Sequence, residues 1–436
     1  MIGPSTAHGA DTTRRHDPQS FDTISESESL LKSHRIDSSH RLPALLEALA
    51  GERGERTPVW FMRQAGRSLP EYRRARAAAG LSMLEACLDP GLAAEITLQP
   101  VRRHGVDAAV LFSDIMVPLL LAGVDVRIEE GVGPVLAAPV RSREQIDALV
   151  AAPPAGDGLE SVAQAARRVV VELGAPGRPG SREHLSPRQR AGLEVSAGQA
   201  GWTPLIAFGG APFTLAAYLV EGRPSRDHLA ARTLMHADPS SWHRLMTWCA
   251  QVTGAFIAAQ VRAGAAAAQL FDSWAGSLSP ADYRRHVQPY SALALQVAGR
   301  AHSPTTGAPP PLIHFGTGTA RILADMRDAG ADAVGVDDRT GLEEAARAVE
   351  ASRAGACPLQ GNLDPALLGA PWPVVQAGVE ECLAAGQQAP GHVVNLGHGV
   401  PPGTDPAVLT RIVAQVHGSA DWDATARRAW DPEEES

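Results

Sequence analysis

The chain has 436 residues and a formal net charge of −9, with 44% hydrophobic and 20% charged residues. That balance is ordinary for a globular protein, and the length suits about three average domains or one large α/β barrel. Of the 39 basic residues one is Lys, Lys32, and the other 38 are Arg. With no Lys beyond the polar N-terminal stretch, Schiff-base and pyridoxal-phosphate chemistry, P-loop nucleotide hydrolysis and kinase-type phosphoryl transfer are excluded. The acidic balance argues against a nucleic-acid binder, yet admits an anionic ligand where positive charge is concentrated locally.

Residues 1–38 are polar, carry Asp11, Asp17, Asp22, Glu26 and Glu28, and lack the apolar segment of a secretory signal. They predict a disordered extension. No run of 18 apolar residues occurs, so no transmembrane helix is expected. The four cysteines, Cys87, Cys249, Cys357 and Cys382, are widely spaced without a CxxC pair. They predict reduced thiols in the cytoplasm and no zinc ribbon or disulfide framework.

From residue 58 one unit recurs: a short apolar run ending in Gly or a polar residue, then a helical stretch. The runs are PVWFMRQAG (58–66), DAAVLFSD (107–114), TPLIAFGGAP (203–212), AAAAQLFDS (265–273), PLIHFGTG (311–318), ADAVGVDD (331–338), CPLQGNLDP (357–365) and HVVNLGHG (392–399). Continuous apolar runs suit parallel strands buried on both faces. In the spacer TARILADMRDAG, Ile322, Leu323 and Met326 form an apolar stripe and Gly330 suits the position after a helix end. Eight such units predict a single (β/α)₈ TIM barrel over 39–418, with an acidic tail at 419–436. A doubly wound open sheet is the alternative, but no GxGxxG follows a strand. Residues 131–140 read as a small hairpin. The Gly-, Pro- and Arg-rich stretch 174–201 reads as a surface loop on the face opposite the barrel mouth, and 303–311 as a lesser Pro-rich insertion.

Barrel chemistry gathers at the C-terminal ends of the strands. The segment FMRQAGRSLPEYRRAR holds Arg63, Arg67, Arg73, Arg74 and Arg76 against a single acid, Glu71. Ser68 and Glu71 have capping-box spacing, so a helix is expected to begin near residue 69. This places Arg63 at the end of the first strand, Arg67 in the loop and Arg76 on the helix. Guanidinium forks at a strand end suit carboxylates, whereas most charge runs are merely solvated. Asp114, closing a wholly apolar run, reads either as a helix cap or barrel ion pair, or as an acceptor for substrate N–H groups. A lone His398 and a lone Tyr218 are more often structural. Ser273 lacks a nucleophile context. Asp337, Asp338 and Asp364 read as caps or ion-pair partners.

Taken together, FMRQAGRSLPEYR, LFSDI, GAPFTLAAYLVEG, QLFDSWAG, IHFGTGT, QGNLDP and NLGHGV resemble the uroporphyrinogen decarboxylase family from about Arg41 to His417. The resemblance implies one barrel, a homodimer and no cofactor. It implies an enzyme of heme biosynthesis that removes CO2 from the four acetate side chains of uroporphyrinogen III, giving coproporphyrinogen III. It assigns Arg63, Gln64, Arg67, Arg76, Asp114, Tyr218, Ser273 and His398 to substrate-site positions and Phe271 to the pocket wall. Asp114 and Arg63 then become the expected catalytic residues. The sixth run departs from the family in reading GVDDRT, with Asp338 where an aromatic is common, and a packing consequence is expected there. Two rivals remain. One is a corrinoid-linked methyltransferase of the same superfamily, whose zinc thiolates are missing here. The other is a tetrapyrrole-binding barrel without turnover.

Overall fold

The apolar runs become strands, in a computed structural model that describes residues 41–151, 158–176 and 185–419. The expected extension at 1–38 and the tail from residue 420 lie outside the described residues. The strands are β1 (Ala109–Val110), β2 (Val126–Glu129), β3 (Gly133–Leu136), β4 (Leu205–Gly210), β5 (Ala267–Asp272), β6 (Leu312–Gly316), β7 (Ala333–Gly335), β8 (Leu359–Gln360) and β9 (His392–Val393). Seven of them form one curled parallel sheet in the order β1-β4-β5-β6-β7-β8-β9. Chain order and spatial order agree, as in a barrel and unlike a doubly wound sheet.

The first run closes the circle. Val59 pairs in parallel with Val394, and the Asp107 N–H donates to the Val59 carbonyl at 2.8 Å on the other side. Run one therefore lies between the last strand and the second run, in the eighth strand position.

Helices start where an acceptor precedes proline. At Asp89-Pro90, Ser186-Pro187, Asp238-Pro239, Ser279-Pro280 and Asp405-Pro406 the first side chain accepts first-turn N–H groups. Proline follows at a position whose N–H has no helical partner anyway. Ile322, Leu323 and Met326 are buried as the stripe requires, and Gly330 follows their helix at φ +102°.

The base is locked by charge. Asp107 accepts from Val59 N–H at 2.8 Å and Arg56, and contacts His417 Nε2 at 2.7 Å. The first run, β1 and the end of the last helix, Pro406–Val416, are thereby joined.

Three local expectations are corrected. The Ser68–Glu71 capping box does not form: the helix Pro70–Ala79 is preceded by Leu69 without a side-chain cap, and Glu71 is taken by Arg103. The hairpin starts upstream of 131–140 and ends within it, pairing Val126–Glu129 with Gly133–Leu136, because alternation in VRIE lets both flanks pair around Gly131 and Gly133. Within 174–201, expected as loop, Pro187–Ala197 is a helix with a Ser186/Gln189 capping box. It packs so close to Arg102 that a β-carbon on Gly192 would meet that residue's carbonyl oxygen at 2.0 Å. The position opposite the mouth holds: Arg56 donates to the Val195 and Ser196 carbonyls beside Asp107.

Candidate active site

At the C-terminal ends of the strands the barrel opens into a cavity of about 780 Å³, within the roughly 300–1,000 Å³ of small-molecule sites. Arg63, Gln64, Arg67, Arg76, Asp114, Phe271, Ser273 and His398 all line it. Tyr218 does not. Its ring stacks on Trp274 with centroids 4.0 Å apart, and its phenol lies in the field of Asp114 and Arg63.

The arginine loop is built from two tight turns, with Gln64 N–H bonded to Phe61 C=O and Leu69 N–H to Gly66 C=O. Gly66 is required there, since a β-carbon would meet the Arg63 carbonyl at 2.9 Å. Gln64 holds the turn from inside: its carboxamide accepts from Phe61 N–H at 3.0 Å and donates to Ala108 C=O at 2.9 Å. Arg63 has φ +60°. A left-handed backbone at a residue with a β-carbon costs about 1–2 kcal/mol and persists where surrounding structure imposes it. Its side chain passes over Gly399, where an added β-carbon would lie 2.4 Å from Arg63 Cδ.

Arg73 braces the loop through the Arg67 and Ser68 carbonyls. Arg76 reaches the Leu81 carbonyl at 2.9 Å. Among the described residues no carboxylate forms an ion pair with Arg63, Arg67 or Arg76. The only acid in their segment is turned away onto Arg103.

Asp114 faces this cationic rim. Its Oδ1 accepts from Met116 N–H at 2.8 Å and its carbonyl from Val117 N–H at 3.0 Å. These bonds make an Asx turn just ahead of the short helix Val117–Leu121, whose N-cap is Met116 and carries no side-chain cap, so Asp114 is not the helix cap. Among the described residues Oδ2 has no hydrogen-bond partner, and Asp114 lines the cavity. Burial raises the Asp114 carboxyl above its ordinary range, while the Met116 N–H and the Arg63 charge pull it back. Burial and the Arg63 charge hold the His398 imidazole below its usual value, so it is neutral at pH 7. The Tyr218 phenol is pushed up to about 12 by burial, with the Asp114 charge adding. It is a neutral hydroxyl, able to donate.

Of the apolar wall, Phe271 was assigned by the resemblance, while Phe208 and Phe315 went unread in the sequence. Phe208, Phe271 and Phe315 stand on three consecutive strands, packed edge to face at 5.4 and 5.9 Å. The signal was present: IAFGG, QLFDS and IHFGT each place Phe just before the strand-terminal small or polar residue. Also missed were Thr317, whose hydroxyl donates to the Ser273 carbonyl at 2.7 Å, and hairpin residues Ile128–Pro134, which form one side of the cavity. Asp364 is a cap, accepting from Ala366 N–H, whereas Asp337 takes the ion-pair alternative, 3.9 Å from Arg339, and also accepts from Gly318 N–H. His314, the residue on which a methyltransferase-type zinc site would depend, is fully buried on the outer side of β6. It lies 3.6 Å from Asp272 and faces away from Phe315 and the cavity.

Fold and site together describe a single-barrel enzyme for a polyanionic, partly apolar ligand. Residues 41–177 and 194–419 match the sequence profile of the family described as uroporphyrinogen decarboxylase (URO-D), and the chain belongs to that family. The gap in the match falls inside the 174–201 insertion. A uroporphyrinogen decarboxylase of Arthrobacter sp. (strain FB24) is 55% identical over 373 residues, covering 86% of this chain and 96% of that one. A second, from Leifsonia xyli subsp. xyli, is 52% identical over 403 residues, covering 88% and 98%. Among solved structures, a methyltransferase from Methanosarcina mazei superposes with a TM-score of 0.63 at 19% identity, over 86% of this chain and 97% of that one. That likeness concerns the fold alone.

Proposed function

We propose that the chain is a uroporphyrinogen III decarboxylase, a carboxy-lyase that releases four acetate carboxyl groups as CO2 and yields coproporphyrinogen III. The observation that carries this reading is the Asp114 carboxylate set in the same cavity as three arginines with which, among the described residues, no carboxylate forms an ion pair. The ligand that completes such a site brings several carboxylates for the rim and N–H donors for the floor.

Loss of CO2 from an acetate leaves an electron pair on the methylene carbon that stays behind, which needs a sink. A porphyrinogen supplies its own. Protonation of a pyrrole carbon gives an iminium-like ring. The C–C bond to the carboxylate then breaks, its electron pair neutralises the iminium as an exocyclic alkene forms, and CO2 leaves. A proton delivered to the exocyclic carbon and loss of the ring proton complete the methyl group. Asp114 accepts pyrrole N–H bonds and puts negative charge beside the developing cation, in a site where burial strengthens the interaction. Arg63, Arg67 and Arg76 hold the carboxylates by forked hydrogen bonds. Gln64 keeps the arginine loop in shape, Phe271 and its neighbours give the macrocycle an apolar face, and Ser273, His398 and Tyr218 supply neutral polar contacts. Arg63 is placed to assist proton transfer. As its guanidinium stays charged at neutral pH, a substrate carboxyl or water is the better proton source.

The family resemblance also supports a cytoplasmic homodimer working without a cofactor. No helix among the described residues is long and apolar enough to cross a membrane. The test is anaerobic incubation of the dialysed protein with uroporphyrinogen III and chromatography of the products. Stepwise seven-, six-, five- and four-carboxylate porphyrinogens support the reading. Tight binding without CO2 release would mark a carrier.

A further inference from the structure

Outside the cavity, three ligating side chains converge between two helices that the mechanism does not use. Asp282 and His286 stand one turn apart on the helix Pro280–His286, and His236 faces them from Leu229–Ala237. One ligand atom from each lies within 4.8 Å of the other two. His236 Nε2 is 3.9 Å from Asp282 Oδ1, and the two imidazoles meet edge to face with centroids 5.7 Å apart.

The carboxylate is already oriented. Ser279 Oγ donates to Asp282 Oδ2 at 2.9 Å and accepts from the Asp282 N–H at 3.1 Å, which leaves Oδ1 toward His236. The far end of the helix is anchored too, since the His286 carbonyl accepts from Trp242 Nε1–H at 3.0 Å. A surface ion pair is the ordinary explanation of such a cluster. It fits poorly, because at 3.9 Å the pair makes no hydrogen bond and a ligand atom of a second imidazole lies within 4.8 Å of both partners.

We infer that His236, Asp282 and His286 form a site for one divalent transition-metal ion of the zinc class. Two imidazoles and a carboxylate suit zinc, cobalt or nickel, whereas calcium and magnesium require sites built from oxygen. Ligands at roughly 2.0–2.1 Å from a tetrahedral ion lie about 3.3 Å apart. The three atoms close to that spacing by side-chain rotation, which the half-exposed His236 is free to make. Solvent supplies the fourth ligand. The bound ion would tie the helix Leu229–Ala237 to the helix that follows β5.

The test is titration of the chelator-treated full-length protein with Co²⁺, read by its visible absorption and by Tm, followed by Zn²⁺ displacement. His236→Ala, His286→Gln and, as control, His302→Ala are titrated alongside. The expected result is a saturable Co²⁺ spectrum, displaced by Zn²⁺, with affinity at least about tenfold weaker in the first two variants and unchanged in the control. Turnover stays unchanged in His236→Ala. The exposed His236 makes that variant decisive even if His286→Gln folds poorly. Equal affinity in wild type and His236→Ala, or no Co²⁺ spectrum in the wild type, overturns the site. None of these outcomes depends on the decarboxylase reading.

Discussion

Two sets of arginines stand at opposite ends of the same barrel, and their partners divide them. Near the base, Arg102 is buried and holds Glu172 by two bonds of 2.7 Å and Glu95 by one of 2.8 Å. Arg56 pairs with Asp107, and Arg103 grips both oxygens of Glu71. At the mouth, no carboxylate among the described residues forms an ion pair with Arg63, Arg67 or Arg76. A buried charge without a partner is strongly unfavourable, so the base arginines come with carboxylates. Half-solvated arginines can stay unpaired, and their field remains available to a ligand. A chain of net charge −9 thus presents a cationic mouth by pairing its acids elsewhere. The Glu71–Arg103 pair is the clearest case, since it removes from the arginine segment the only acid it contains.

The contrast can be broken at either end. The largest expected effect is on stability. Arg102→Ala leaves two carboxylates around a buried hole and should cost about 3–5 kcal/mol, seen as a lower denaturation midpoint, while kcat of the folded fraction is unchanged. A loss of kcat/KM without a loss of stability would erase the distinction. At the mouth, Arg67→Lys should lower kcat/KM about tenfold with Tm unaltered, because a point charge cannot reproduce a fork. Smaller still is a titration shift. Burial raises the Asp114 pKa and the Arg63 cation lowers it. Arg63→Gln removes a charge that favours the carboxylate, so Asp114 should then protonate at higher pH than in wild type, measured by carboxyl ¹³C NMR against Asp114→Ala. A shift to lower pH would mean that the two groups do not face each other. Deleting residues 1–38 should leave specific activity unchanged, since the family match begins at residue 41. A large loss would give the extension a role.

Much of this was legible in sequence because barrel strands are wholly apolar and end abruptly in polar residues. Reading the ends of eight runs placed Arg63, Asp114, Ser273 and His398 around one mouth, and the cavity lining agrees. What escaped was long-range pairing. Nothing local in SLPEYR says that Glu71 will turn to Arg103, 32 residues away, instead of capping its own helix. Tyr218 was assigned to the site by resemblance; its stacking on Trp274, with its phenol in the field of Asp114 and Arg63, is a packing outcome that motif spacing cannot encode. The helix at 187–197 was readable, since Ser186-Pro187 followed by Gln189 is a start signal that the surrounding Gly and Pro obscured.

The central claim is that Asp114 acts on the reacting ring while the arginines hold the acids. It is tested most directly by Asp114→Ala, with binding and single-turnover CO2 release from uroporphyrinogen III measured side by side. The account predicts substrate still bound within about tenfold of wild-type affinity and CO2 release slowed more than about a hundredfold, some 3 kcal/mol of lost transition-state stabilisation. Release at a near wild-type rate would contradict it.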